Sequence, residues 1–503
     1  MESITKKYVS SHLNDFTPEM VMYLSQLELV ASRDKDIARL IVKELEDQRE
    51  NDLKLIASEN FSSLAVQAAM GNLLTDKYSE GFPFHRFYAG CQNVDEIESI
   101  ACEKAKKLFG AEHAYVQPHS GADANLCAYW AILNQRVMVP TLEEMGVENV
   151  NHMTRDDWNK IRTALHNQRL LGLDYYSGGH LTHGYRQNIS AQLFDAYSYT
   201  VNKETNLLDY EEIEKMAQEV KPLILLAGYS AYPRKINFKT LSEIAHSVGA
   251  VFMVDMAHFA GLVAGGVFTG EYSPFPWADV VTTTTHKTLR GPRGGMILCK
   301  EEFAESVDKG CPLVIGGPLP HVMAAKAICF EEALSDSYKD YANQIVKNSQ
   351  ALAKAFIDEG ATVLTGGSDN HLMLLDVSPF GLNGRMSETL LRECGITLNR
   401  NALPFDKNGP WYTSGLRIGT PAVTTLNMKE EEMKEIASII IKVLKNAHPV
   451  KLTKGEKVGT LSKNKAKCPP EIMAEAKERV NKLLKKFVLY PELDLEFLKE
   501  QFN

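Results

Sequence analysis

Residues Leu223–Asp255 read LILLAGYSAYPRKINFKTLSEIAHSVGAVFMVD, and this stretch decides the fold. Leu223–Leu226 and Val251–Val254 are unbroken apolar runs, as expected of strands covered on both faces of a parallel sheet. Between them, Ile236–Val248 carries helical periodicity. Strand, helix and strand in that order predict an α/β sandwich. Asp255 closes the second run, and a buried carboxylate there needs a partner. A core hydrogen bond, a helix cap or a cationic ring nitrogen would each serve. Lys287 follows 32 residues later, ending the run Val280-Val281-Thr282-Thr283-Thr284-Thr285-His286, and the turn Gly291-Pro292-Arg293-Gly294-Gly295 comes next. β-Branched residues mark that run as a strand. One crossover separates it from the Asp255 strand, so both residues reach the same sheet edge, where α/β sheets bind ligands. Burial favours the neutral lysine, a nucleophile that forms Schiff bases with aldehydes. Taken alone, the motif better suits a strand-end lysine that snorkels into solvent.

Further strings add chemistry to that edge. Pro118-His119-Ser120-Gly121-Ala122-Asp123-Ala124-Asn125 passes from a strand into an Ala-rich helix. Ser120 and the amides of Gly121 and Ala122 then sit at a helix N-terminus, a natural anion site, although Ser-Gly also makes ordinary turns. Gly316-Gly317 offers more amides. In Gly178-Gly179-His180-Leu181-Thr182-His183-Gly184, glycines flank two histidines. His180 there either stacks on a flat ring or is a satisfied core residue. Tyr78 and Glu80 form a candidate proton-handling pair. Arg417, between Gly415 and Gly419, suits a carboxylate bidentately, either of a substrate or of a structural ion pair. An aldehyde-reactive lysine, an aspartate for a pyridinium nitrogen and a phosphate site are the minimal kit of a pyridoxal 5'-phosphate enzyme.

From about residue 50 to 440 these strings resemble, in order, those of the serine hydroxymethyltransferase family. The resemblance is carried by Leu55–Asn60, Lys77–Gly81, Gln117–Gly121, Gly179–Gly184, Ser230-Ala231-Tyr232, Val254–His258, the Thr-rich Lys287 run, Asp369–Leu372 and Arg417–Pro421. It implies a fold-type-I, aminotransferase-like α/β architecture: a three-layer αβα large domain with a smaller α+β C-terminal domain. It also implies pyridoxal 5'-phosphate as cofactor, tetrahydrofolate as co-substrate, and conversion of serine to glycine with transfer of the one-carbon unit. Lys287 would carry the cofactor covalently, Asp255 would pair with its ring nitrogen and His180 would stack on it. Ser230 and His258 would face the phenolic oxygen. Ser120, Gly121, Ala122 and His286 would hold the phosphate, with Gly316 and Gly317 donated across a dimer interface. Tyr78 would come from the neighbouring subunit, with Glu80 as general acid/base and Thr284 aiding proton transfer. Ser58, Tyr88 and Arg417 would bind the amino acid, and Glu80, Phe87, Tyr175, Gly179 and Leu181 would meet folate.

The chain departs from the family pattern in five of these motifs. Ala122 replaces a serine, Phe87-Tyr88 replaces a Tyr-Tyr pair, and Tyr175-Tyr176-Ser177 replaces Leu-Ala-His. Pro312-Leu313-Val314-Ile315-Gly316-Gly317 loses two glycines of its loop, and Thr413–Arg417 is one residue shorter. Weaker or altered folate binding is therefore expected. Two other activities remain open: folate-independent chemistry on small amino acids (aldol cleavage of 3-hydroxy amino acids, or alanine racemisation), and a non-catalytic binding homologue. Retention of Lys287, Asp255, Glu80 and Arg417 argues against the last.

The 503 residues, 44% hydrophobic and 24% charged, allow a large globular core in two to three domains. An N-terminal helical arm is expected over 1–75, a large α/β cofactor domain over 76–330 and an α+β domain over 331–503. Residues 136–172 read as a surface insertion and 450–466 as a mobile loop. A net charge of −9 speaks against nucleic acid or membrane as partner. Lys482, Lys485 and Lys486 read as a solvated helix face. None of the eight cysteines forms a Cys-x-x-Cys pair, and no His-Glu-x-x-His spacing occurs, so neither metal nor disulfide framework is expected. Lys6 and Lys7 precede no apolar segment. A cytoplasmic homodimer or homotetramer with shared sites is the expectation.

Overall fold

The computed structural model describes residues 3–13, 15–452 and 459–502. A seven-stranded sheet forms its centre: β1 (His113–Tyr115), β2 (Arg169–Leu173), β3 (Asp195–Tyr199), β4 (Ile224–Gly228), β5 (Val251–Asp255), β6 (Val280–Thr284) and β7 (Gly295–Cys299). Their spatial order is β1-β7-β6-β5-β4-β2-β3. β7 runs antiparallel to β1 and β6, and all other pairs are parallel. The C-terminal ends of the six co-directional strands therefore share one edge.

The period of two along each strand divides its side chains between two apolar cores. Ile224, Leu226, Val251, Met253, Val280 and Ile297 pack with Ala124, Cys127 and Ile132 of α1 (Gly121–Leu133). Their alternates Leu225, Ala227, Phe252, Val254, Val281 and Met296 pack on the opposite face. There they meet Leu241 and Ile244 of the crossover helix Phe238–Ser247, and Met323 and Phe330 of the helix Pro320–Ala333. Burial on both faces is why these strands read as unbroken apolar runs. Removing one such leucine side chain costs roughly 2–5 kcal/mol.

The chain after residue 331 adds a second sheet, β8 (Thr362–Val363), β9 (Leu372–Asp376), β10 (Asn399–Asn401) and β11 (Gly415–Gly419). It is antiparallel, in the order β8-β9-β11-β10. Its core takes in Leu53, Leu55 and Phe61 from the N-terminal region, and Leu53–Lys54 pair with Ile396–Thr397. The helices Ile4–Ser11, Pro18–Ala31 and Lys35–Glu46 bury Met20, Leu24 and Val42 against Leu495, Leu498 and Phe502. No helix among the described residues is long and apolar enough to cross a membrane.

Two expectations need correction. Residues 136–172 are not wholly a surface insertion, because Arg169–Leu173 is β2, and all of it after Arg169 is buried between β3 and β4. The preceding residues include the helix Arg155–His166, started by a Thr154–Asp157 capping box. The stretch 450–466 is not simply a loop either: Leu461–Lys467 pairs antiparallel with His448–Lys451. Its lysines point mostly to solvent, which hid the strand pattern. Residues 453–458 of that expectation lie outside the described residues.

Candidate active site

A cavity of about 620 Å³ opens at the shared strand edge and is walled on its far side by β10, β11 and their loops. Lys287 enters it three residues past β6. Thr282, Thr283 and Thr284 of that strand are buried, and each hydroxyl finds an acceptor: Asn125 Oδ1 at 2.5 Å, Thr284 O at 2.9 Å and Ala257 O at 3.2 Å. The Thr-rich strand is thus satisfied internally. The Lys287 backbone is fixed at its carbonyl by Asn60 Nδ2 at 2.9 Å and Arg290 N–H at 3.0 Å. Its Nζ has no hydrogen bond or ion pair among the described residues. Burial pulls its pKa from 10.5 down to about 8, with Asp255 opposing and Arg417 and Arg293 adding to the fall. About a tenth of the amine is then neutral at pH 7, against far less for a solvated lysine.

Asp255 lies at the end of β5, on the strand adjacent to Lys287's. Burial alone would raise its pKa, but His183, His180 and Asn125 reverse that and hold the carboxylate below its usual range. Oδ2 accepts from Asn125 Nδ2 at 2.9 Å and His183 Nε2 at 3.1 Å, and Oδ1 accepts from Ala257 N–H at 3.0 Å. Three donors leave an ionised carboxylate with capacity for one more on its cavity side. His183 Nδ1 accepts from His180 N–H at 3.4 Å, placing the His183 proton on Nε2. The ligand atoms of His180, His183 and Asp255 also lie within 4.8 Å of one another, joined by this chain of hydrogen bonds. Burial keeps His180 neutral, its pKa lowered to about 4. Its Nδ1 faces Thr182 Oγ1 at 2.8 Å, which fixes the ring plane against the cavity. The bend before it depends on Gly178 at φ +104°, where a Cβ would stand 2.9 Å from the Ala231 carbonyl carbon.

At one end of the cavity Ser120 caps α1, its Oγ accepting from Asp123 N–H at 3.2 Å. The amides of Gly121 and Ala122 are left at the mouth. A Cβ on Gly295 would collide with the Ser120 carbonyl, so only glycine lets β7 approach this turn. His286 borders the same end with its buried Nδ1 unpaired and its pKa lowered by burial to about 3. At the other end Arg417 of β11 donates from Nη1 to Ser230 O at 2.6 Å and from Nε to Asn399 Oδ1 at 3.0 Å. No carboxylate among the described residues pairs with it. Burial lowers its pKa to about 10, which still leaves it charged at neutral pH. The structural ion pair that the sequence left open is not formed.

Ser58, Ala122, Tyr175, Leu181, Ser230, His258 and Thr284 also line the cavity. Ser230 Oγ donates to Gly179 O at 3.0 Å, and Gly179 itself packs against the end of β2, where a Cβ would strike Leu173 O. His258 Nδ1 contacts His371 Nε2 at 3.2 Å. Tyr78, Glu80, Phe87, Tyr88, Gly316 and Gly317 do not line it. They form a separate surface cluster: Tyr78 Oη donates to Glu80 at 3.2 Å, the Tyr78 and Tyr88 rings meet at 4.9 Å, and Gly317 abuts Tyr78. Tyr78, Phe87 and Tyr88 are 53%, 71% and 47% exposed.

The sequence reading missed several residues at the site. Asn125, polar and one turn into an Ala-rich apolar helix, was a usable signal. Asn60 and His371 stood in quoted motifs without a role. Arg293, Asn399 and Arg400 reach the cavity from loops and a short strand, and nothing local marks them.

A family model described as serine hydroxymethyltransferase matches residues 30–164 and 157–440. A curated serine hydroxymethyltransferase of Treponema pallidum is 60% identical over 502 residues, covering 100% of this chain and 87% of the relative. That of Salinispora tropica is 54% identical over 477 residues, covering 95% and 99%. That of Mycolicibacterium smegmatis is 52% identical over 473 residues, covering 94% of each.

Proposed function

The chain belongs to the serine hydroxymethyltransferase family, and from that membership and the cavity we infer that it interconverts L-serine plus tetrahydrofolate with glycine plus 5,10-methylenetetrahydrofolate as a pyridoxal 5'-phosphate-dependent transferase. The observation that carries this reading is two half-buried basic groups without ion-pair partners in one cavity, the Lys287 amine and the Arg417 guanidinium. The donor set also fits the cofactor. The ionised Asp255 has acceptor capacity left for a protonated ring nitrogen. The α1 N-terminus and the unpaired His286 Nδ1 suit a phosphate. When bound, pyridoxal 5'-phosphate supplies an aldehyde and an electron-withdrawing ring that stabilises a carbanion at the amino acid Cα.

The chain's own residues bind, orient and move protons. Lys287 is the amine for the aldehyde, and its partly neutral state makes it competent near neutral pH. Neutral His180 would stack on the ring without adding charge. Ser230 and His258, which line the cavity, would hold the cofactor's phenolic oxygen. Arg417 takes the amino acid carboxylate, with Ser58 beside it in the same cavity. Thr284 Oγ1 donates to Ala257 O, leaving its lone pairs to accept a proton in transit. Tyr175, Leu181 and Gly179 stand on the folate side.

Tyr78, Glu80, Phe87, Tyr88, Gly316 and Gly317 complete the site of a second copy, in a homodimer or homotetramer. Their exposure and their separation from their own chain's cavity support this. Residues 76–330 then form the cofactor domain and 331–503 the smaller one, in a cytoplasmic enzyme. Purified protein with cofactor should absorb near the visible edge and release glycine from serine in proportion to added tetrahydrofolate. Equal release without folate would favour aldol cleavage, and absence of the absorbance would overturn the cofactor assignment.

A further inference from the structure

Lys326 is the most buried lysine of the described residues, 1% exposed, on the helix Pro320–Ala333. Its Nζ donates to Val116 O at 2.5 Å, Gly295 O at 2.7 Å and Pro118 O at 3.0 Å. Three acceptors use the three N–H groups of an ammonium, whereas a neutral amine has two. None of the acceptors is charged, and no carboxylate among the described residues forms an ion pair with it. Glu98 acts on it only through space and is already bonded to Arg86. Burial pulls its pKa from 10.5 down to about 7, so the ammonium that three acceptors suit is costly unless an anion arrives nearby.

The three carbonyls belong to the phosphate end of the cavity. Val116 and Pro118 lead directly into Ser120, and Gly295 N–H donates to Pro118 O at 2.9 Å. Gly294 makes room for the lysine, since a Cβ there would stand 2.6 Å from Lys326 Cε. Thr285 N–H donates to Gly294 O at 3.1 Å, tying the same cage to the His286-Lys287 turn. The ammonium thus sits behind the turn whose front presents Ser120, Gly121 and Ala122.

We propose that Lys326 is a positioning residue for the cofactor phosphate, holding the Val116–Ser120 turn through three carbonyls and offsetting the phosphate charge from beneath it. This rests on the pyridoxal 5'-phosphate reading above. The test titrates apo-protein with pyridoxal 5'-phosphate and, separately, with pyridoxal, which has the aldehyde and ring but no phosphate. It is run on wild type, Lys326→Met and Lys326→Gln, the last keeping two donors without charge. In both variants affinity for pyridoxal 5'-phosphate should fall about tenfold or more with pyridoxal affinity unchanged. Inorganic phosphate should raise the Tm of wild-type apo-protein but not of the variants. Equal losses for both ligands, or no loss, would overturn the proposal, as would failure of both variants to fold. Wild type that prefers neither ligand would instead overturn the cofactor reading itself.

Discussion

The Lys287 cavity and the Tyr78–Gly317 cluster carry equally prominent motifs, yet one is closed within the chain and the other faces out. In the cavity Lys287 Nζ, His286 Nδ1 and one side of Arg417 stand without a protein partner among the described residues, while Asp255, Asn125 and the threonines of β6 are hydrogen-bonded. In the cluster, three aromatic rings stand about half or more in solvent, and the Tyr78 and Tyr88 rings pack edge to face on one another. The difference separates two kinds of incompleteness. Buried groups without partners call for a small ligand, whereas exposed aromatics grouped on a surface call for another protein surface.

The largest expected effect tests the first kind. Lys287→Ala should lower serine cleavage by roughly 10⁴-fold or more, and gel-filtered protein should lose the visible absorbance of the covalently held cofactor. Retained absorbance would mean that another amine serves, and the cavity would lose its defining member. The fold should survive, because Lys287 Nζ supports no contact.

The second kind predicts an effect between chains. Glu80→Gln alone should cost roughly 10²–10³-fold in turnover, the range of a lost proton-transfer group. Mixed and re-equilibrated with Lys287→Ala, it should recover about a quarter of wild-type activity. Half of the random dimers are then mixed, and one of their two sites draws Lys287 and Glu80 from intact copies. No recovery, with exchange verified by mass, would place Glu80 in its own chain's site and erase the contrast between the regions.

The contrast also shows what the sequence made legible. Val251–Asp255 was readable to the residue because all five positions are buried and the chemistry sits at its end. β2 was not: Arg169-Leu170-Leu171-Gly172-Leu173 follows a charged helix whose apolar stripe of Ile161 and Leu165 is sparse. The capping box at Thr154 and Asp157 was the overlooked marker. At the site, Lys287, Asp255 and Arg417 announced themselves as costly residues on apolar strands. Asn399 and Arg293 did not, since their roles arise only when β10 and the β6–β7 turn close on one cavity. Nothing in the sequence around Lys326 sets it apart, and only the fold surrounds it with carbonyls.

A pH experiment sharpens the buried half of the comparison. With its pKa held to about 8 rather than 10.5 by burial, Lys287 is mostly protonated below that value. The rate at which apo-protein captures cofactor should climb about tenfold per pH unit toward 8 and then level off. Stability runs with the same sign. Between about 8 and 10.5 the unfolded chain binds the proton that the folded chain has released, so this group makes apo-protein more stable as pH rises. A capture rate still climbing steadily to pH 10 would show Lys287 to be as solvated as a surface lysine.

The smallest effect probes the exposed half. Phe87 stands 71% exposed in the single chain, where a hydroxyl added to its ring would touch only water. Surface changes of that kind alter little. If the cluster closes a neighbouring copy's site, however, the same hydroxyl enters a desolvated folate pocket, where one hydrogen bond is worth about 1 kcal/mol. Phe87→Tyr should therefore tighten tetrahydrofolate binding roughly fivefold while leaving serine affinity and Tm unchanged. Calorimetric titration of the cofactor-loaded protein with and without glycine reads this directly. An unchanged folate affinity would leave Phe87 a solvent-facing ring, and would move the altered folate pocket to Tyr175, a departure that lines the cavity.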